Sequence, residues 1–283
     1  MESLPGPISF SPETLFAVEL ARRAGNEILM PALPLGKRGE REDYKGPREL
    51  VTEADRAVER FVYETIKAEY PDHAVYAEEE VREEGAGAPA RWIVDPLDGT
   101  TNFVHGHPMF AVSIALERAG RLQTGVVYAP YLSEMFYAER GKGAYLNSDR
   151  IRLRVSDTEV LLKAVLATGF AYDRLRWPNL ENWCRLHEEA RGLRRCGAAS
   201  IDLAYVACGR YDGFWELGLA PYDVAAGAVL VEEAGGRVTD GAGGDAWLDG
   251  GSIVATNGRI HDLLRKELEP PEPGSYLPLR SRT

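Results

Sequence analysis

Two aspartates three residues apart follow an apolar run in Arg91-Trp92-Ile93-Val94-Asp95-Pro96-Leu97-Asp98-Gly99-Thr100-Thr101-Asn102-Phe103. Trp92, Ile93 and Val94 have the β-branched and aromatic character of a buried strand end. A strand that delivers Asp95 and Asp98 into a turn builds a negative pocket at its own C-terminal end. Pro96 stiffens that turn and offers no N–H, and Gly99 lets the backbone come close to a ligand. A helix starting at Gly99 or Thr100 aims its free N–H groups at the same pocket, where they can hold an anion. Carboxylates beside an anion cradle are compatible only with cations between them, which points to a Mg²⁺-dependent phosphate site. Asp, Pro and Gly are also turn formers, so a plain turn is the alternative.

Other segments carry acids in comparable places. Glu78 is the first residue after a short strand, Ala74 to Ala77, whereas Glu79 and Glu80 read as solvated surface. Asp55 falls in the first turn of a helix opened by Leu50-Val51-Thr52-Glu53-Ala54-Asp55, where it can cap against Thr52, face the pocket, or do both with its two oxygens. Asp223 opens a small-residue helix at Pro221-Tyr222-Asp223, again as a cap or a ligand. Glu216 ends a strand seven residues earlier, as a solvated acid or a substrate contact. His105 and His107 raise the idea of zinc, but the hard oxygen donors around them suit Mg²⁺ better.

The elements that must position these groups can be read in order. Residues 1–10 are expected to be a loose tail, Ser11-Pro12-Glu13 a helix start running to about Met30, and 31–48 a loop or hairpin with Lys45 near its end. Val58, Phe61, Val62 and Ile66 stripe the next helix. Strands are expected at about 109–117, 122–129 and 134–139, an antiparallel meander. The second half alternates more: strands at 163–168, 211–215, 237–239 and 252–256, with helices at 178–191, 221–234 and 259–268 and one opened by Gly197-Ala198-Ala199-Ser200 and running to Cys208. Ala225, Ala226, Gly227 and Ala228 make the 221–234 helix a close-packing one. We therefore divide the chain into an α+β half, 1–147, an α/β half, 148–268, and a Pro-rich tail, 269–283. A net charge of −11 argues against direct nucleic-acid binding, and no apolar run of eighteen residues spans a membrane. The N-terminus has no secretory pattern, and Cys184, Cys196 and Cys208 are expected to be buried small residues in a reducing cytoplasm.

The Asp-Pro-x-Asp-Gly-Thr-Thr-Asn-Phe string at Asp95–Phe103 resembles the central motif of the inositol monophosphatase family, with every fixed position filled. Leu-Val-Thr-x-x-Asp at 50–55, the glutamate at 78, and Tyr222-Asp223-Val224-Ala225-Ala226-Gly227 followed by Gly235-Gly236 are similar to further family motifs. Tyr222 stands where the family usually has Trp, a change in packing and not in ligation. Haloacid-dehalogenase-type phosphatases space their two aspartates i, i+2, unlike Asp95 and Asp98. The resemblance implies a layered αβαβα fold and a phosphomonoesterase using direct attack of metal-activated water, with two or three Mg²⁺ ions. It places Glu78, Asp95 and the Leu97 carbonyl on one ion, and Asp95, Asp98 and Asp223 on a second. Glu78 would share a third, weaker ion. Thr100, with Glu78 or Asp55, would orient the water, Gly99 and Thr100 would bind phosphate, and Glu216, Gly197 and Ala198 would contact the alcohol. Inositol phosphate is the first substrate choice. Fructose 1,6-bisphosphate, histidinol phosphate and NADP or phosphoadenosine phosphates are alternatives within the superfamily. A homodimer and Li⁺ inhibition are implied in the same way. So is a non-enzymatic alternative, a partner of the transcription machinery. An inactive homologue is disfavoured because every required acid is present.

Overall fold

A computed structural model describes residues 9–33, 42–46, 49–83, 85, 87–173, 176–249 and 251–268. Five layers stack as helix, sheet, helix, sheet, helix. The first helical layer begins with α1 (Pro12–Arg23), capped by the Ser11 hydroxyl, which accepts from Thr14 N. It widens into a π-helix over Ala24–Leu29 and finishes as α2 (Met30–Ala32), so the long helix is irregular where a regular one was expected. Gly25 lies in that widened stretch against the Tyr128 ring, where a Cβ would meet ring carbons at 2.7 Å. Phe10, placed in a loose tail by the sequence, packs edge-on against Tyr137 and Tyr145. Residues 1–8 and the 269–283 tail lie outside the described residues, as does most of the 31–48 loop. Within that loop, β1 (Glu42–Gly46), which contains Lys45, pairs antiparallel with β2 (Glu49–Thr52). The helix predicted to open at Leu50 starts at Glu53, as α3 (Glu53–Glu69).

The large sheet has seven strands in chain order: β3 (Ala74–Ala77), β4 (Arg91–Asp98), β5 (Ala111–Arg118), β6 (Arg121–Ala129), β7 (Glu134–Glu139), β8 (Gly143–Leu146) and β9 (Ser148–Arg152). Only β3 and β4 run parallel; the rest is an antiparallel meander in which β5, β6 and β7 were expected and β8 and β9 were not. Between β4 and β5 stands α4 (Thr100–Val104). Trp92, Val94 and Ile114 pack under Leu20, Val58, Val62 and Ile66 of the outer helices.

The small sheet is ordered β11-β10-β12-β14-β13, from β10 (Val165–Thr168), β11 (Gly192–Arg194), β12 (Gly213–Leu217), β13 (Arg237–Thr239) and β14 (Ser252–Thr256). β10 is parallel to β11 and β12, and β14 is antiparallel to its neighbours. The three-residue β11 was missed in the sequence. The outer face of the small sheet is covered by α5 (Leu180–Glu189) and α8 (His261–Leu268), with Leu186, Trp215, Ile260 and Leu264 buried between. The two sheets sandwich α6 (Ala199–Ala207) and α7 (Pro221–Glu233). Gly227 of α7 sits so close to α6 that a Cβ would lie 2.5 Å from Leu203 Cβ, and Gly125 of β6 so close to α7 that a Cβ would lie 2.3 Å from the Ala226 carbonyl oxygen. Small residues thus bring α7 close against α6 within the middle layer and close against the large sheet beside it.

Candidate functional site

On a regular strand, residues three apart point to opposite faces. Asp95 pairs with Ser113 and Asp98 with Ala111, so β4 carries one residue more than β5 across this interval. That bulge turns Asp98 to the side that Asp95 already faces. Gly99 then takes a left-handed conformation, φ +90°, and caps α4. A Cβ there would lie 2.7 Å from the Met109 carbonyl oxygen, so the turn requires glycine twice over.

A cavity of about 380 Å³ opens at this point. Its wall includes Glu78 after β3, Asp95, Leu97 and Asp98 from β4, Gly99 and Thr100 at the start of α4, and Gly197 and Ala198 before α6. Glu216 from β12 and Asp223 from α7 complete the set. Asp55 is the exception among the expected residues: fully buried, it stands behind Thr100 and off the cavity wall. Its two oxygens divide the work foreseen for them. Oδ2 accepts from Thr52 N at 2.8 Å in a capping box, and Oδ1 accepts from the Thr100 hydroxyl at 2.9 Å.

The other acids are anchored in a similar way. Asp98 Oδ2 accepts from Ser200 N at 2.7 Å and from the Ser200 hydroxyl at 2.5 Å, at the start of α6. Asp223 Oδ2 accepts from Ala220 N at 2.6 Å, at the start of α7. Asp95 Oδ1 accepts from Leu97 N at 3.0 Å. Among the described residues no three His, Cys, Asp or Glu side chains stand close enough together to hold a metal ion as they are placed. The acids instead ring the cavity, with Asp95, Asp98 and Asp223 each fixed at one edge.

Their electrostatics show what the ring demands. Burial, then the carboxylates of Glu78, Asp98 and Asp223, push Asp95 well above the usual range. Burial moves Asp98 up to about 6 against the pull of its Ser200 hydrogen bonds. Burial also raises Asp223, with Asp98, Glu78 and Glu216 adding to it. Acids that hinder one another's ionisation call for a divalent cation among hard oxygen donors, so this donor set fits such an ion. Glu216 is pushed to about 8, chiefly by burial. It fits its place because Gly169 lies across from it: a Cβ there would come within 2.2 Å of both carboxylate oxygens.

Several contributors were not foreseen. Ser200 holds Asp98, and Asn102 Nδ2 donates to the carbonyls of Met109 at 2.6 Å and Cys196 at 2.9 Å, tying α4 to the approach to α6. Asn102 was visible as part of the motif, whereas Ser200 carried no spacing signal. Arg176, Trp177 and Arg195 also line the cavity. His105 and His107 are exposed and off the cavity wall, which leaves the zinc idea without support. The cysteines are free; Cys184 is exposed and the other two are half-buried, so the expectation of burial was wrong.

The family model described as inositol monophosphatase family matches residues 10–270. The chain belongs to the inositol monophosphatase family. It is 47% identical over 229 residues to an inositol-1-monophosphatase of Mesorhizobium japonicum, covering 80% of this chain and 85% of that one. It is also 47% identical over 237 residues to a Nus factor SuhB of Pseudomonas aeruginosa, covering 82% of this chain and 87% of that one. The solved inositol monophosphatase from Anabaena superposes with a TM-score of 0.81 at 43% identity, over 90% of this chain and 94% of the other. Family and relatives make the inositol monophosphatase family member a phosphatase, in a family that is generally metal-dependent. No helix among its described residues is long and apolar enough to cross a membrane.

Proposed function

We propose that this family member is a Mg²⁺-dependent phosphomonoesterase that hydrolyses inositol monophosphate, or a similar sugar phosphate, by direct attack of water. The observation carrying this reading is the meeting of Glu78, Asp95, Leu97, Asp98 and Asp223 with Gly99, Thr100 and Glu216 around one cavity. Glu78, Asp95 and the Leu97 carbonyl would hold one ion, and Asp95, Asp98 and Asp223 a second, with Glu78 reaching a third. Bound Mg²⁺ supplies charge to neutralise the phosphate dianion and to acidify water. The Thr100 hydroxyl donates a hydrogen bond to Asp55 Oδ1 at 2.9 Å, with the Leu97 carbonyl at 3.1 Å as a second acceptor, which leaves its lone pairs to accept a hydrogen bond from the attacking water. First-turn N–H groups of Gly99 and Thr100 take phosphate oxygens. Glu216, pushed up chiefly by burial, can hydrogen-bond the ring hydroxyls of the alcohol. Backbone groups of Gly197 and Ala198 border the same end. A cytoplasmic homodimer inhibited by Li⁺ belongs to the same reading, on family likeness.

A panel of inositol 1-phosphate, fructose 1,6-bisphosphate, histidinol phosphate, NADP and 3′-phosphoadenosine 5′-phosphate, each with Mg²⁺ and with excess chelator, tests it. Inositol phosphate should be turned over fastest and chelator should stop every reaction. Undiminished turnover in chelator overturns the metal assignment. In ¹⁸O-water a single turnover should label the released phosphate; a trapped aspartyl-phosphate refutes direct attack.

The likeness to a Nus factor favours a second reading, a role as a partner of the transcription machinery. Asp98→Asn separates the two. It should lower phosphatase activity by more than about a hundredfold while leaving the fold and any partner surface intact. A cell that tolerates Asp98→Asn but not deletion of the chain supports the partner role.

A further inference from the structure

Asp55 and Glu59 lie four residues apart on α3, hence on one helix face, and both are buried, at 0% and 3% exposure. A bare buried carboxylate is costly, so each must have partners. Those of Asp55 are the helix cap and Thr100. Glu59 reaches one turn further along, to the segment that follows β3. Its Oε2 accepts from Glu79 N at 2.6 Å, and its Oε1 accepts from Glu80 N at 2.6 Å and Val81 N at 2.9 Å. Three successive backbone N–H groups thus converge on one carboxylate, a nest filled by the chain's own acid.

The residue immediately before that nest is Glu78. Its own carbonyl accepts from the Arg82 guanidinium, which lies over the rings of Tyr76 and Tyr222 at 5.1 and 5.3 Å. Ala77 N donates to the Val81 carbonyl at 2.8 Å and closes the turn. Glu78 is therefore held by backbone anchors on both sides of its peptide, and the largest of them is Glu59. Asp95, Asp98 and Asp223 have strand or helix backbone to fix them. Glu78 sits on a turn and has this nest in their place.

We propose that Glu59 is a positioning residue for Glu78, setting cation affinity by fixing the turn that presents it. This rests on the reading of the cavity as a Mg²⁺ site. Removing the partner of a ligand-bearing group costs about tenfold in metal affinity or more.

The test is calorimetric titration of Mg²⁺ into the metal-stripped full chain, unsubstituted and as Glu59→Gln and Glu59→Asp. Glutamine keeps the shape and loses the charge, while aspartate keeps the charge and is too short to reach all three N–H groups. Both should bind Mg²⁺ about tenfold more weakly, with faster hydrogen exchange at the amides of residues 79–81. At saturating Mg²⁺, kcat and KM should return to within about twofold of the unsubstituted values, which a general loss of structure would not allow. Glu83→Gln is the control. Glu83 accepts from Val75 N on the same stretch and pairs with Lys67, away from Glu78, and its loss should leave Mg²⁺ affinity unchanged. If Glu59→Gln fails to fold, Glu59→Asp carries the comparison alone. Equal affinity in all forms overturns the role of Glu59 and spares the metal reading. Wild-type affinity in Glu59→Asp also overturns it, by assigning any effect to charge. No Mg²⁺ binding by the unsubstituted chain overturns the metal reading and the inference with it.

Discussion

Asp95, Asp98, Asp223 and Glu216 each bind a proton more tightly in the folded chain than in the unfolded one, because burial penalises their charge. Between an acid's ordinary pKa and its raised one, the folded state carries the extra proton. Their contribution to stability is therefore complete below about pH 4 and drains away as pH rises, through about 6 at Asp98 and about 8 at Glu216. Without divalent cation, the melting temperature should fall between pH 5 and pH 8. Glu216→Gln removes one of these acids and should recover roughly 1–3 kcal/mol at pH 8, with no gain at pH 5. Thermal melts of both forms at the two pH values check this; a melting temperature that climbs with pH in the metal-free protein contradicts it.

Helices α6 and α7 present the acids through their first turns. Ser200 opens α6 and takes Asp98, and Ala220 precedes α7 and takes Asp223. Where those turns stand depends on how deeply the pair is seated between the sheets. Gly227 faces Leu203 with no room for a methyl group, so Gly227→Val must push the two helices apart. We expect a loss of about 2–4 kcal/mol from overpacking. Activity should also fall in the fraction that stays folded, because Asp223 and Asp98 move apart. Denaturant titration together with assay of the soluble protein measures both effects. Unchanged activity in a destabilised variant would mean that the middle layer does not set the acid geometry. The other middle-layer contact, Gly125 against the Ala226 carbonyl, makes the same demand from the sheet side.

At the scale of the whole molecule, the cavity is a junction. β3, β4 and α4 belong to the large sheet and its edge, β12 to the small sheet, and α6 and α7 to the layer between. On the proposed reading, a cation held there would tie three layers together and would favour the folded chain. Mg²⁺ should therefore raise the melting temperature in proportion to the logarithm of its concentration once above its dissociation constant. The gain should be larger at pH 8 than at pH 5, where the acids keep their protons and compete with the ion. Melts across a Mg²⁺ series at both pH values test this; equal gains at the two would argue that the ion acts elsewhere.

Which acids would gather at the candidate site was legible from their types and local spacing. Asp95 and Asp98 followed an apolar strand end, Glu78 followed another, and Asp223 opened a helix. Element order was also legible, because burial imposes a period of two on strands and three to four on helices. Short elements were not: β11 has three residues, too few for a period to show. The π-helical stretch after α1 carried no local signal either, and its Gly25 lies against the Tyr128 ring of a distant strand. Only the tertiary structure decided that the β4 bulge brings two acids three apart onto one side, and that Asp55 stands behind Thr100 and accepts from its hydroxyl. It alone decided that Glu59 grips the turn after Glu78. A side chain's type belongs to its own position, but the partner that satisfies a buried charge can come from anywhere in the chain. No local pattern records which partner that will be.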